Sequence, residues 1–477
     1  MSRKITTATL LAYAGPALPL AIPTVVIYVL LPAYYVENYA LPLLWTGVLL
    51  MLARLTDVIT DPLIGHWLDR GNTRTYRLSL ILGGLICIPS LFLLINPPAE
   101  HAMLTLFCGS LLLYLGWTLI QVPYITWLSH LSTDSYQRTR AATGREGLAL
   151  IGLLLSASLP VIAVAMGFDT QATLWLMALV TILLGAPLIA ALLRFAMPLQ
   201  TPTHQPLAGL HFKEKPLKHA HMQSSPRELL QNRLALRLVA AWFCNGIANG
   251  VPAVLFPFYI TAVLGGTEAD RPVYILIYFA AACLSLPVWL MLSKKIDKRL
   301  LWQLAMSGAV LAFLPAPWLG PGDEAAFMLI CILTGAALGA DLALPHAMQA
   351  EITDWDRFRF RRQQTGLLFA LWNGATKLAL ALAALLALGL LELSGFTPDS
   401  SAPLLALGLI YALLPCVFKA GAIALLWGFP LKTHHHTAIQ RRLQERSGRS
   451  LTDASYTDTP IDHSDTDRLQ QHESRTV

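Results

Sequence analysis

Uncharged apolar runs of about 20 residues recur along the chain, and this pattern limits its possible folds more than any other feature. A run of this length is what a helix needs to cross the hydrocarbon core of a bilayer. A helix pairs its own backbone polar groups, whereas an open strand in lipid would leave them unpaired. Clear examples are residues 78–95, 104–127, 148–165, 174–193 and 404–418. We therefore predict an all-α membrane protein with about twelve transmembrane helices.

The composition agrees with a chain that lies mostly in lipid. Of its 477 residues, 55% are hydrophobic and 13% are charged, whereas a soluble domain carries roughly 25% charged residues. No stretch outside the apolar runs is long enough for a soluble catalytic domain, so we expect no enzyme. The six cysteines lie singly in apolar segments without metal-ligand spacing, and we expect neither a metal site nor a cofactor.

Basic residues cluster in alternate loops along the predicted topology. They lie at 3–4, 70–77, 138–140, 213–218, 294–299, 357–362 and after 432, whereas the six intervening loops hold one cation, Arg271. Cytoplasmic loops of membrane proteins carry such an excess of Lys and Arg. The bias predicts a multi-pass protein of a bacterial-type inner (plasma) membrane with both termini in the cytoplasm. It also explains the net charge of +6 without a nucleic-acid partner.

The order of the predicted helices suggests two similar halves. We predict an N-terminal six-helix bundle over 1–196, a cytoplasmic linker over 197–232, a C-terminal six-helix bundle over 233–429 and a disordered cytoplasmic tail over 430–477. A short basic turn with one aspartate follows both the second and the eighth helix, at Asp69 and Asp297, as expected for an internal repeat. Two six-helix bundles are the arrangement of the major facilitator fold. We predict that the protein functions as a monomer.

The second predicted helix carries three ionisable residues on one face. Arg54, Asp57 and Asp61 are spaced by three and four positions, and each costs roughly 2.5–3.5 kcal/mol at the centre of a membrane helix. Pro62 frees a backbone carbonyl one turn earlier, and Thr60 adds a hydroxyl. These groups suit a proton or a hard cation, so we predict a cation-coupling site at Asp57, Asp61 and Thr60. The alternative is a buried Arg54–Asp57 ion pair that fixes helix packing.

Further candidates lie on other helices. Lys377 is too deep to reach either surface, so we expect it to face a carboxylate across the bundle, as a cavity group or as a structural counter-charge. Asp341 is expected to pair with Lys377 or to line the pathway, and Arg145 to reach the cavity or to anchor a loop. Aromatic and amide groups are candidates for stacking on a sugar and bonding it, although such groups more often serve packing. The candidate cavity residues are Arg54, Gln121, Tyr124, Arg145, Asp341, Trp372, Asn373 and Lys377.

The segment over 54–70, RLTDVITDPLIGHWLDR, resembles the signature of the glycoside–pentoside–hexuronide:cation symporters, a melibiose-permease-like family of the major facilitator superfamily. Segments over 122–145 and 350–377 are similar to two further motifs of that family. The resemblance implies that Asp57 and Asp61 serve the coupling cation, H+ or Na+. It places Arg145 and Lys377 near the cavity for the substrate and the cation. It also implies gating or cytoplasmic-loop roles for Gly65, Asp69, Arg70, Arg138, Arg140, Glu351 and Asp354.

Two acids of the characterised sugar carriers are missing from this chain. One belongs to the first helix, near 19–23, and the other stands where this chain has Gln121. Their absence disfavours a galactoside and favours protons over sodium. The resemblance implies cation-coupled symport of a sugar, glycoside or related small solute by alternating access. The alternative is a transporter of a lysolipid or another amphiphile with the same fold.

Overall fold

The structure is a computed structural model, and it describes residues 6–131, 135–197, 232–360, 365–396 and 404–429. These residues contain twelve helices that are long and apolar enough to cross a membrane, and no strand, which confirms the predicted fold class. The helices are α1 (Thr7–Tyr39), α2 (Leu43–Leu68), α3 (Thr73–Ile95), α4 (Ala99–Thr126), α5 (Arg140–Ala165), α6 (Thr170–Ala196), α7 (Arg233–Ala262), α8 (Arg271–Leu292), α9 (Lys298–Trp318), α10 (Glu324–Thr353), α11 (Ala370–Leu393) and α12 (Leu404–Leu426).

The helices of each half pack mainly among themselves. In the first half α4 packs against α2 and α3, and α1 packs against α5. In the second half α7 packs against α11 and α12, while α10 packs against α8 and α9. The halves meet along three helix pairs: α2 with α11, α5 with α8, and α1 with α7. The proposed linker and tail lie outside the described residues except for Met197 and Asn232, so those boundaries remain predictions.

The first helix is irregular. The regular α-helix is interrupted at Gly15–Pro16, and a π-helical turn occupies Val26–Leu30. Prolines remove backbone donors and loosen a helix, and single π-turns often lie at functional sites. Here the π-turn contains Tyr28, whose hydroxyl accepts a hydrogen bond from Arg54 of α2.

Because the number of spans is even, α1 begins and α12 ends on the same face, which we call the terminal face. The opposite face, the distal face, is closed by contacts between the halves. Arg271, at the start of α8, forms two hydrogen bonds of 2.8 and 2.6 Å with the carboxylate of Glu37 near the end of α1. Two further bonds cross this face: Leu44 N to Glu392 Oε2 at 2.7 Å, and Thr170 Oγ1 to Glu268 Oε2 at 2.7 Å.

A glycine allows α2 and α11 to approach closely in the distal half. A Cβ atom at Gly47 would lie 3.0 Å from the carbonyl oxygen of Ala384 and 3.2 Å from the Cα atom of Leu385. Small residues permit this backbone contact between membrane helices. The approach holds α2, with its acidic residues, against α11, which carries Lys377.

Candidate functional site

The two acids of α2 share a hydroxyl from α4. Asp57 and Asp61 lie one helical turn apart on the same face of α2. The hydroxyl of Thr118 is 3.3 Å from Asp57 Oδ1 and 3.0 Å from Asp61 Oδ1, so it can donate to either carboxylate. Asp57 is buried, whereas the side chain of Asp61 is 29% exposed. The second acid is therefore the one that solvent reaches more easily.

Lys377 of α11 joins both acids across the two halves. Its Nζ atom lies 2.6 Å from Asp61 Oδ2 and 3.3 Å from Asp57 Oδ2. The lysine thus faces carboxylates across the bundle, as the sequence analysis expects. An ammonium between two carboxylates partly neutralises charges that would otherwise be costly at this depth.

Arg54 does not form the ion pair with Asp57 that the alternative interpretation required. Its buried guanidinium donates to the hydroxyl of Tyr28, and its Cζ atom lies 4.1 Å from the centre of the Tyr28 ring and 4.9 Å from that of Tyr114. A guanidinium over aromatic faces is stabilised by their quadrupoles. Arg54 therefore links α2 to α1 and α4, and it leaves Asp57 to Thr118 and Lys377.

Thr60 fits a cation-ligand role by its hydrogen bonding. Its hydroxyl is buried and has no hydrogen-bond partner among the described residues. A buried hydroxyl without a partner costs free energy, which a ligand can recover. Thr60 precedes Asp61 directly and follows Asp57 by three positions, so it belongs to the same helical turn.

The second half contains a buried charged cluster that the sequence analysis missed in part. Asp341 of α10 pairs with Lys419 of α12, at 3.7 Å between Oδ2 and Nζ, and not with Lys377. It also accepts hydrogen bonds from Trp302 Nε1 at 2.6 Å and from Asn249 Nδ2 at 2.9 Å. Lys419 donates to Asn245 Oδ1 at 2.7 Å. The sequence signal for Lys419 is a lysine seven positions inside the end of an otherwise apolar helix, although this pattern alone does not identify its partner.

Two candidates on α4 form hydrogen bonds with groups other than the central acids. Gln121 accepts a hydrogen bond of 2.6 Å from the indole of Trp117, one turn earlier on the same helix. The hydroxyl of Tyr124 donates to the backbone oxygen of Tyr13 at 2.8 Å, and the two rings lie 5.3 Å apart. Tyr124 is 2% exposed, so the structure assigns it a packing contact with α1 and no cavity surface.

Two candidates on α11 differ in their surroundings. Trp372 is buried and stacks on Trp242 of α7, with ring centres 4.8 Å apart and ring planes at 14°. Its indole N–H has no hydrogen-bond partner in the part of the chain that the structure describes. Asn373 is exposed. Trp372 therefore stabilises the contact between α7 and α11, and neither residue forms a hydrogen bond with the acids of α2.

Arg145, near the start of α5, forms an ion pair with its neighbour Glu146. One guanidinium nitrogen, Nη1, is buried without a hydrogen-bond partner among the described residues. The structure does not bring Arg145 into contact with Asp57, Asp61 or Lys377. An unpaired guanidinium N–H leaves it able to bind a further acceptor.

The candidate loop residues have varied positions. Glu351 forms an ion pair with Lys298 across α9 and α10. Gly65 faces open space, and the side chains of Arg70 and Arg140 are exposed. The side chains of Asp69, Arg138 and Asp354 lie outside the described residues.

The fold and these buried charges together define a class of protein: a multi-pass membrane transporter of the major facilitator type. Solved structures of this type are similar to the chain, among them a D-xylose–proton symporter (TM-score 0.66, 14% identity, covering 89% of this chain and 98% of that one). A structure of the nucleoside transporter NupG is similar as well, with a TM-score of 0.62 and 13% identity over 88% of this chain and all of that one. At such identities the likeness shows the fold alone.

Residues 12–433 match the family model described as MFS/sugar transport protein, and the chain belongs to that family. It is 23% identical to an uncharacterised symporter of Synechocystis sp., over 93% of this chain and 98% of that protein. It is 22% identical to an Escherichia coli protein assigned as a glycoside/cation symporter, over 89% of this chain and 93% of the relative. These relatives are transporters, and their full-length coverage matches the resemblance found in the sequence.

Proposed function

We propose that the chain is a cation-coupled symporter of a sugar, glycoside or related small solute, and that Asp57 and Asp61 bind the coupling cation. One observation carries the proposal: the ammonium of Lys377 lies between these two carboxylates, 2.6 Å from one and 3.3 Å from the other. An intramolecular ammonium in this position mimics a bound cation. It also connects the cation site to the interface at which the two halves must separate.

The proposed cycle follows from the electrostatics of this cluster. Removing one partner from a buried ion pair costs about 3–5 kcal/mol, because a charge is left uncompensated, and the partial exposure of Lys377 and Asp61 lowers this cost here. Lys377 therefore leaves the acids only when a cation replaces it. That exchange breaks a contact between α2 and α11, so cation binding and rearrangement of the halves are linked. Coupling of this kind needs a difference in affinity between the two states of about 1–3 kcal/mol in free energy.

We take the proton as the coupling ion. One proton neutralises one carboxylate without further ligands, whereas sodium needs several oxygen atoms around it. The groups available here are the carboxylates of Asp57 and Asp61 with the hydroxyls of Thr118 and Thr60. The position of Gln121, where the sugar carriers have an acid, removes one further charged ligand.

The orientation in the membrane follows from the basic loops. The excess of Lys and Arg lies on the terminal face, which we therefore place in the cytoplasm of an inner (plasma) membrane. The Arg271–Glu37 pair then lies on the outer side, and we propose that solvent reaches the exposed part of Asp61 from the inner side. We propose that this arrangement is an inward-facing state and that the protein acts as a monomer.

Transport by purified protein in liposomes tests this proposal. A panel of radiolabelled sugars, glycosides and lysolipids is offered with an imposed pH gradient, a sodium gradient or no gradient. We expect accumulation of a sugar or glycoside driven by the pH gradient. Accumulation driven only by sodium would replace the proton in the proposal, and movement of lysolipids alone would favour the amphiphile alternative.

The variant Asp61→Asn separates coupling from solute movement. It removes the charge that Lys377 contacts most closely but keeps the size of the side chain. We expect gradient-driven accumulation to be lost while exchange of labelled for unlabelled solute continues. Normal accumulation by this variant would contradict the assignment of the cation site. Lys295→Gln, at an exposed loop lysine, serves as the control and should behave like the unaltered protein.

A further inference from the structure

The end of α12 on the terminal face is bound by arginines from two other helices. Arg237 of α7 donates from Nε to the carbonyl oxygen of Leu425 and from Nη2 to that of Trp427. Arg299, near the start of α9, donates from Nη1 to the carbonyl oxygen of Phe429 at 3.1 Å. The carbonyl groups at the end of a helix lack partners within the helix and carry a partial negative charge, so they accept such bonds. Two guanidinium groups therefore converge on one helix end.

These two guanidinium groups have no carboxylate partner. None of the ion pairs among the described residues includes Arg237 or Arg299. The end of a helix offsets only about half an elementary charge, so most of the positive charge is uncompensated. An arginine has five N–H donors, and here Arg237 uses two and Arg299 uses one. The remaining donors are not among the buried atoms that lack a partner, so a ligand can reach them.

A third arginine and an exposed indole lie beside this pair. Arg233 precedes Arg237 by one turn on α7, and its side chain is exposed. Residues four positions apart lie on the same face of a helix. The side chain of Trp427 is 76% exposed, directly after the end of α12. We call the place formed by Arg233, Arg237, Arg299 and Trp427 the arginine corner.

The length of α9 places the arginine corner at the level of the lipid headgroups. This helix spans Lys298–Trp318, which is 21 residues. At a rise of 1.5 Å per residue it is about 30 Å long, the thickness of the hydrocarbon core. Trp318, at its distal end, is 72% exposed, as expected for an indole in the aromatic belt of a membrane protein. Arg299 lies at the opposite end of the same helix and therefore at the opposite headgroup layer.

The first half shows how much of this arrangement a structural role explains. Arg77 of α3 donates from Nη1 to the carbonyl oxygens of Leu193 and Met197 at the end of α6. In the internal repeat α3 and α6 correspond to α9 and α12, so Arg77 corresponds to Arg299. However, α1, which corresponds to α7, has no Lys or Arg between its ends at 7 and 39. One arginine thus suffices to bond such a helix end, and the two arginines of α7 need another explanation.

We propose that the arginine corner binds the headgroup of an anionic phospholipid. A phosphodiester carries one negative charge, and its oxygen atoms match the fork of N–H donors that a guanidinium group presents. Basic groups between helices at a membrane surface attract anionic lipids in this way. The headgroup of a zwitterionic lipid brings its own cation, which the three arginines repel. The indole of Trp427 then packs beside the glycerol and the first carbons of the acyl chains. This inference does not depend on the transported solute or on the coupling ion.

The first measurement compares lipids on the purified full-length protein. Native mass spectrometry counts the molecules of phosphatidylglycerol, phosphatidylethanolamine and phosphatidylcholine that stay bound when each is added at the same concentration in detergent. We expect phosphatidylglycerol to be retained at the lowest concentration. Equal retention of the three lipids would overturn the proposal.

The second measurement removes charge from the arginine corner. Each cation near a membrane surface contributes about fivefold in affinity, so Arg233→Gln with Arg299→Gln should weaken phosphatidylglycerol binding roughly 30-fold. Glutamine at 299 keeps an N–H donor for the carbonyl of Phe429. The matched control is Lys294→Gln with Lys295→Gln, which removes two charges from exposed positions on the same face. An equal loss in the control would show diffuse attraction and refute a site at the arginine corner.

A single variant keeps the test independent of the folding of the double variant. Arg233 forms no hydrogen bond or ion pair with any other residue that the structure describes, so Arg233→Gln should leave the melting temperature unchanged. It should weaken phosphatidylglycerol binding about fivefold. Unaltered binding by this variant would remove Arg233 from the site and contradict the proposal as stated.

The third measurement separates a lipid from a soluble phosphate and tests the indole. Glycerol 3-phosphate should not displace bound phosphatidylglycerol at concentrations at which dioctanoyl phosphatidylglycerol does, because it has no acyl chains. Equal displacement by both would make the site one for soluble phosphates and overturn the lipid assignment. Trp427→Ala should weaken binding roughly threefold or more, whereas Trp318→Ala, at the distal end, should not. Equal effects of the two tryptophan variants would refute the role of Trp427.

Discussion

The Arg271–Glu37 contact should control how often the distal face opens. The arginine side chain is 6% exposed and that of Glu37 is 18% exposed, and the two form a bidentate pair. Glu37→Gln leaves the buried guanidinium without a counter-charge only while the face is closed, because water solvates Arg271 once the halves separate. A hydrogen bond to a charged group contributes roughly 1.5–3 kcal/mol, so we take about 2 kcal/mol here. At 1.4 kcal/mol per tenfold, this shifts the closed-to-open ratio about 30-fold towards the open form.

Distances between spin labels measure this shift. Glu100 and Glu324 are exposed at the distal ends of the two halves, and cysteines at these positions are labelled in a chain whose native cysteines are replaced. We expect Glu37→Gln to add a population with a longer distance. Glu268→Gln is the control, because Glu268 bonds Thr170 at an exposed position, where such contacts contribute about 0–1 kcal/mol.

The double variant Glu37→Gln with Arg271→Gln refines the test. Removing both charges relieves the uncompensated guanidinium, so the closed population should recover in part. Identical distance distributions in Glu37→Gln and the unaltered protein would refute the reasoning. A shift in Glu268→Gln as large as that in Glu37→Gln would show that any distal contact has the same effect.

Three further variants test other contacts. The variant Lys377→Gln should bind the coupling cation more tightly, since the competing ammonium is gone. In liposomes it should therefore slow net uptake more than exchange, and faster net uptake would contradict the proposed cycle. The variant Gly47→Val should reduce uptake strongly, because the added carbon atoms of valine meet the backbone of α11. Uptake and melting temperature are measured together, and normal values for both would show that the close approach of α2 and α11 is dispensable. Tyr124→Phe removes one buried hydrogen bond, so we expect a loss of stability of about 1 kcal/mol with solute affinity unchanged, measured by thermal unfolding and calorimetry; weaker solute binding would return Tyr124 to the cavity.

The sequence was sufficient for the helices and for the acidic face of α2. Each span is a long apolar run, so its position depends on local composition; the run over 174–193, for example, lies within α6, Thr170–Ala196. Because Lys377 lies deep in an apolar helix, it needs a carboxylate partner. The second helix, with Asp57 and Asp61, offers two.

The pairing of Asp341 was not predictable in the same way. Its partner Lys419 lies 78 positions further along the chain, near the end of a helix, where a lysine normally extends to the membrane surface. Only the packing of α12 against α7 and α9 turns that side chain inward. Arg271 was noticed as the one cation of the intervening loops, but its contact with Glu37 depends on how the two halves meet. Tyr124 was chosen for its residue type, although its hydroxyl is used by the backbone of α1.

The ammonium of Lys377 is covalently attached, so its effective concentration at the two carboxylates is fixed by the fold and does not vary with the surrounding solution. A tethered competitor corresponds to millimolar or higher local concentrations, whatever the ionic composition of the cell. On the proposed function, a cation that arrives in the inward-facing state is displaced by a group that can never be diluted. Release to the cytoplasm would then remain efficient when the cytoplasmic concentration of that cation rises, whereas the direction of net transport is still set by the gradients of the cation and the solute.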